Sequence, residues 1–120
     1  MKNGYVYIEN VIVPVLFAIT AQEQNQGLMY IDPPVPAMTF LYKFPQINKF
    51  WMKDTKAPLD IIFCHQGKVS QICYGEPYST KIIGNEELSD LVIEVPAGTV
   101  EKFEIKLGSL AGVINNNYLL

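Results

Sequence analysis

The apolar residues of this chain fall into short runs, most of them closed by Gly, Pro, Asn or Asp. That punctuation restricts the fold more than any other feature, because it leaves no room for the long amphipathic helices of α/β proteins. "YVYIE" (5–9) alternates and reads as a strand. "VIVPVLFAI" (11–19) is a continuous β-branched run. Pro14 within it cannot donate to a ladder, so this strand is expected at a sheet edge or bulged there. "AMTFLYKF" (37–44) places Met38, Phe40, Tyr42 and Phe44 on one face, and "KFWM" (49–52) reads as another short strand. "LDIIFC" (59–64) and "KVSQICY" (68–74) flank "HQG", a hairpin signal. "LVIEV" (91–95) alternates, and "IKLGSLAGVI" (105–114) reads as a last strand interrupted by Gly108 and Gly112.

Helix signals are few. Thr20 with Glu23 forms a capping box, in which each side chain satisfies an orphan amide of a starting helix, and Gly27 is placed to end it. "GTVEKF" (98–103) allows one or two helical turns. "DPPVP" (32–36) cannot be regular structure, and 75–90 is a long turn-rich connection. The expected fold is mainly β, a compact β-sandwich or small barrel with one or two short helices, in a single domain over 1–120.

Composition narrows the function classes. Hydrophobic residues make up 49 % of the chain and charged residues 18 %, too apolar a balance for disorder. Net charge is −3 and every basic residue is Lys, so the chain lacks the footprint of a phosphate binder and nucleic acid is not an expected partner. Two cysteines and one histidine cannot complete a four-ligand zinc site, and no metal or cofactor is expected. If Gln66-Gly67 is a two-residue turn, Cys64 faces Val69 and Cys73 faces Asp60. The thiols then share a face about four residues apart, too far for a disulfide, and are expected to be buried and free. Glu9, Asn10 and Pro14 interrupt the first apolar run, so no signal peptide is read, and no membrane span is expected. The expectation is a soluble protein, cytoplasmic or, for a phage-encoded chain, part of a virion.

"NKFWMKDTKAPLD" (48–60) holds the sole Trp beside a cluster of polar side chains. Phe50 and Met52 alternate with Trp51, so one of the two aromatics faces the core and the other faces elsewhere. Asp54 or Thr55 can close a turn by bonding backbone amides, and Asp60 opens a strand that is otherwise apolar. The plain reading is strand, turn, strand. The sharper one is a pocket wall with Trp51 as platform and Lys53, Asp54, Thr55 and Asp60 as polar groups. Glu94 lies on the face of its strand opposite Leu91, Ile93 and Val95. It is expected to face solvent, cap a turn or pair with Lys53, and could form a carboxylate pair with Asp60. His65 is expected to be an exposed residue of a hairpin tip. With one imidazole, no nucleophilic triad is read.

The order and spacing of these blocks resemble the family catalogued as domain of unknown function 192. "TAQEQNQGLM" (20–29), "FWMKDTKAPLDIIF" (50–63), the glycine hairpin at Gly67, "IEVPAG" (93–98) and "IKLG" (105–108) follow its pattern over about residues 11 to 114. The resemblance implies a compact β-sandwich or barrel with small helices, in a bacterial or archaeal family often found behind a signal peptide, with no established activity. The chain departs from the pattern at several points. Tyr30 and Ile31 stand where the family has an Arg after G-L-M, Asp54 replaces Asn, Ser109 replaces Asp, and the hairpin is about one residue shorter. If the family's cleft uses that Arg for an anion, Lys53 alone remains here.

A non-catalytic binding module, with a cleft around Trp51, Lys53, Asp54, Thr55, Asp60 and Glu94, is the leading expectation. Its ligand would be a small molecule or a protein. The alternative is an assembly component, such as a phage virion or decoration protein, that docks or oligomerises through Pro33–Pro36 and the C-terminal tail. A third is an enzyme that acts on a small substrate through Asp60 and Glu94.

Overall fold

A computed structural model of the chain describes residues 1–84 and 86–114. Seven strands form one curled sheet with the order β5-β4-β6-β3-β2-β1-β7. Of the two β architectures expected, the chain adopts the barrel-like one, a half-barrel. β1 (Lys2–Ile8) and β2 (Val11–Ala18) make an antiparallel hairpin closed by Glu9 and Asn10, with Glu9 at φ 52°. β2 and β3 (Ala37–Ile47) are parallel, which requires a crossover connection. Residues 19–36 supply it, including α1 (Ala21–Gln26). The capping box at Thr20 and Glu23 is formed as read, and Gly27 ends the helix at φ 52°.

β4 (Leu59–His65) and β5 (Lys68–Gly75) form the expected hairpin. Its two turn residues, Gln66 and Gly67, both take positive φ, as the right-handed twist of the flanking strands demands. His65 is half-buried at the end of β4 rather than fully exposed, because it pairs with Lys68 inside the ladder. β6 (Leu88–Pro96) lies between β3 and β4, and α2 (Thr99–Lys102) follows it. β7 (Ala111–Val113) pairs with β1. The sheet curls until its ends touch: Val69 N–H donates to Ser109 O, Gly108 N–H to Val69 O and Ala111 N–H to Gly67 O.

Two apolar clusters lie on opposite faces of this sheet. The concave face buries Val6, Ile8, Val15, Phe17, Ile62, Cys64, Ile93 and Val95. The convex face buries Met38, Phe40, Leu59, Ile61, Phe63 and Val92 under Leu28, Val35, Met52 and Ala57. The central strands are therefore covered on both sides.

Several local expectations are corrected. β2 is an interior strand, not an edge. Its pairing with β3 begins only at Val15, so Pro14 stands just before that ladder and its missing donor leaves no gap in it. Residues 49–52 make one isolated bridge, Phe50 to Ile83, instead of a strand. The last strand is confined to Ala111–Val113, since 105–110 turn through Gly108 at φ 86°. Phe44 is exposed because the β3/β6 register shifts between Leu41 and Gln46. A second register shift, between Phe63 and Cys64, sets Cys73 opposite Ile61 instead of Asp60. Cys64 therefore packs on the concave face and Cys73 on the convex one. The tail (115–120) lies outside the described residues.

Candidate functional site

The 48–57 segment crosses the convex face as a pinned loop. At its start the buried Asn48 amide donates to Ser89 Oγ at 2.7 Å and Ser89 O at 3.1 Å. Phe50 exchanges both backbone hydrogen bonds with Ile83, and Met52 N–H donates to Ser79 O. On the other side Tyr30 ties Asp54 twice, through N–H to the backbone carbonyl at 2.8 Å and through the phenol to Oδ2 at 3.0 Å. Asp54 takes φ 54°, a left-handed conformation that Asp and Asn tolerate better than other side chains. Thr55 is buried, and its hydroxyl donates to Lys53 O at 3.0 Å. Asp54 and Thr55 thus serve the turn, and Thr55 also lines what the turn encloses.

Between this loop and the end of α1 lies a pocket of about 210 Å³. Trp51, Lys49 and Asn25 stand at its exposed rim, while Phe40, Phe50, Met52 and Leu28 wall it. Phe50 packs edge-on against Phe40 and Phe63, with ring centroids 5.0 and 5.7 Å apart. Trp51 remains 43 % exposed, and the Lys53 ammonium sits 5.3 Å from its ring centroid. Lys53 accompanies the pocket through this contact and is not part of its wall.

Glu94 reaches the pocket from β6 and is only 5 % exposed. It is buried because the convex face carries α1 and the 48–57 loop, which correct the expectation of a solvent-facing residue. The carboxyl is pushed up to about 8 by burial alone, with no hydrogen bond from a described residue to hold it down. Tyr42, on β3, also lines the pocket, and its phenol is pushed well above its ordinary value, first by burial and then by the Glu94 charge.

Asp60 does not join the group. Its Oδ2 accepts the amides of Gly98 and Val100 at 3.0 Å each, which caps α2, whose N-cap residue is a glycine without a side chain to do so. Asp60 pairs with Val95 while Ile61 pairs with Glu94, so the two carboxylates sit on opposite faces of the sheet. The structure therefore brings together Trp51, Thr55 and Glu94, leaves Lys53 and Asp54 at the margin and sets Asp60 apart. Among the described residues no three His, Cys, Asp or Glu side chains converge as metal ligands. Tyr42, Lys49 and the Gly27–Leu28 step escaped the site reading. The alternation of Met38, Phe40 and Tyr42 put Tyr42 on the right face, and Gly27 and Leu28 belong to the "GLM" block, but Lys49 carried no signal.

This half-barrel is the framework of an uncharacterised protein family. The family profile of domain of unknown function 192, described as an uncharacterized ACR, matches residues 6–111, and the chain belongs to that family. No curated protein matches the sequence. A Sinorhizobium meliloti 1021 protein provisionally described as a transcription regulator is similar at 27 % identity and TM-score 0.87, over 93 % of this chain and 94 % of the other. A protein of unknown function from Novosphingobium aromaticivorans DSM 12444 is similar at 27 % identity and TM-score 0.86, over 93 % of this chain and 86 % of the other. No helix of the described residues is long and apolar enough to cross a membrane.

Proposed function

We propose that this protein is a small-molecule binding module whose site is the pocket between the end of α1 and the 48–57 loop. The observation that carries this reading is Glu94: a carboxyl 5 % exposed, opening into a cavity, without an internal hydrogen-bond partner among the described residues. A carboxyl that faces a cavity and is not engaged by the protein's own donors is available to the donors of a ligand. Aromatic walls and a single acidic group suit recognition better than hydrolysis, since among the described residues no second carboxylate lines the pocket. One structural neighbour is described as a transcription regulator. For this chain a net charge of −3 without Arg gives duplex DNA little to hold, so a regulatory role would run through the pocket. An assembly role through Pro33–Pro36 draws less support: Pro33, Pro34 and Pro36 are exposed, Val35 is buried, and Asp32 is engaged by Lys56 within the chain.

Trp51 is the sole Trp and stands at the rim, so its emission reports occupancy. A library of small polar metabolites is screened by Trp51 fluorescence and thermal shift. A true ligand changes the emission, raises the melting temperature and loses both effects in Glu94→Gln. Ligands that raise the melting temperature equally in wild type and Glu94→Gln, without touching Trp51 emission, would sink the reading.

A further inference from the structure

The geometry points to a small organic cation, a primary ammonium, as the ligand of this pocket, held by the Glu94 carboxylate with release of the carboxyl proton to solvent. This rests on the binding-module reading above and gives it a ligand class. Among the described residues the Glu94 carboxyl is the one acid lining the cavity, and none of them donates to it. What complements it must donate hydrogen bonds and, once the acid ionises, carry the opposite charge. An ammonium supplies three donors on one compact charge. Phe40, Tyr42 and Phe50 line the same cavity, and aromatic rings attract cations, more strongly where water is excluded, while the Trp51 ring at the rim is already engaged by Lys53. The cavity of about 210 Å³ corresponds to roughly seven waters of liquid volume, which suits a small ligand.

The groups around Glu94 agree with this assignment. β3 contributes the Tyr42 phenol, neutral at ordinary pH. β4 contributes Ile61, directly opposite in register. α1 offers the uncharged Gln24 and Asn25, its own Glu23 being turned to the amides of Ile19 and Thr20. The 48–57 loop adds Lys49, exposed at the rim. Its like charge leaves the deep end as the favourable place for the ammonium and the rim for a neutral or anionic end. On binding, the Glu94 O–H bond breaks, the proton passes to solvent, and the carboxylate accepts N–H bonds from the ammonium.

The test uses three-carbon probes, propylammonium, propan-1-ol and propionate, with glycerol as a polyol, followed by amide NMR shifts of Gly27, Leu28 and Glu94 at pH 6 and pH 9. Propylammonium is expected to bind at least tenfold more tightly than propan-1-ol. Because only the ionised acid holds the cation, binding tightens by about a hundredfold from pH 6 to pH 9 for a group titrating near 8. Glu94→Gln abolishes both the preference and the pH dependence. If that variant fails to fold, the wild-type pH profile decides alone. Alcohol, propionate or glycerol binding as tightly as the ammonium overturns the cation assignment and leaves the pocket reading standing. Ammonium binding that ignores pH overturns the proton release. If no probe moves the three amides, the cation assignment falls, and the metabolite screen with Trp51 fluorescence decides the pocket reading separately.

Discussion

Asp60 and Glu94 sit on neighbouring strands, one register step apart, yet their carboxylates serve opposite faces of the sheet. Asp60 is spent on the backbone of α2, and Glu94 is held without a described partner under the 48–57 loop. Two acids that look paired along the sequence therefore have different energetics, and each can be tested separately.

Asp60→Ala removes the acceptor of two helix-start amides. Loss of such a cap costs about 1–2 kcal/mol. Urea unfolding should show that loss, while Trp51 emission in the folded state stays unchanged because the pocket is on the other face. A shifted emission with unchanged stability would contradict the assignment.

Glu94 makes stability depend on pH with a definite sign. Its carboxyl rises from an ordinary 4.5 to about 8 in the folded protein. The folded state thus holds a proton that the unfolded state has already lost. The stabilisation is complete below about 4.5 and declines as pH rises, at about 1.4 kcal/mol per unit, until the folded carboxyl ionises near 8. Glu94→Gln cannot titrate and should lack this slope. Chemical denaturation of both proteins at pH 5, 7 and 9 measures the difference, and parallel curves would count against a buried, unpartnered acid.

Gly27 ends α1 at φ 52° and ψ −129°, a conformation that L side chains rarely adopt. There is room for a methyl group, since a Cβ would stand 3.6 Å from Phe40 Cζ and 4.0 Å from Glu94 Oε1. The cost of Gly27→Ala is therefore in the backbone, about 1–3 kcal/mol, and calorimetry should show it without loss of the fold.

The two thiols should separate by reactivity. Cys64 is buried, with its thiol pushed up to about 12 by burial first and Asp90 second. Cys73 is half-buried, its thiol raised less, again by burial first. An aromatic disulfide reagent should label Cys73 in the native protein and Cys64 only on unfolding. A native intrachain disulfide would contradict their placement on opposite faces.

What the sequence revealed was local. Gln66-Gly67 forecasts its hairpin because turn chemistry is decided by two residues, and Thr20 with Glu23 forecasts its cap for the same reason. Period-two alternation separates Trp51 from Phe50 and Met52, so one aromatic had to turn from the core, but that it is Trp51 was not legible. Strand order was not legible. Pro14 reads as an edge residue, yet β2 gains a parallel neighbour from residues more than twenty positions on. Glu94 was misjudged because alternation shows that a strand has two faces but not whether a distant segment covers the second one. α1 and the 48–57 loop, which bury it, lie far away in the chain. The bulge between Phe63 and Cys64 reverses the face of Cys73 with no sequence mark that distinguishes it from a regular pair.

The docking of β7 on β1 governs the order in which the molecule can assemble. Leu110 bonds Glu9 through both backbone and side chain, and β7 completes its pairing on β1 across nearly the whole chain. Contacts of such long sequence separation are slow to form, because the entropy of closing the loop is lost before they return any energy. During synthesis the first hairpin must wait, its outer edge open, until Ala111–Val113 has been made. The final strand is thus a late-arriving clasp, and folding should proceed as one cooperative closure instead of growing stepwise from the N-terminus.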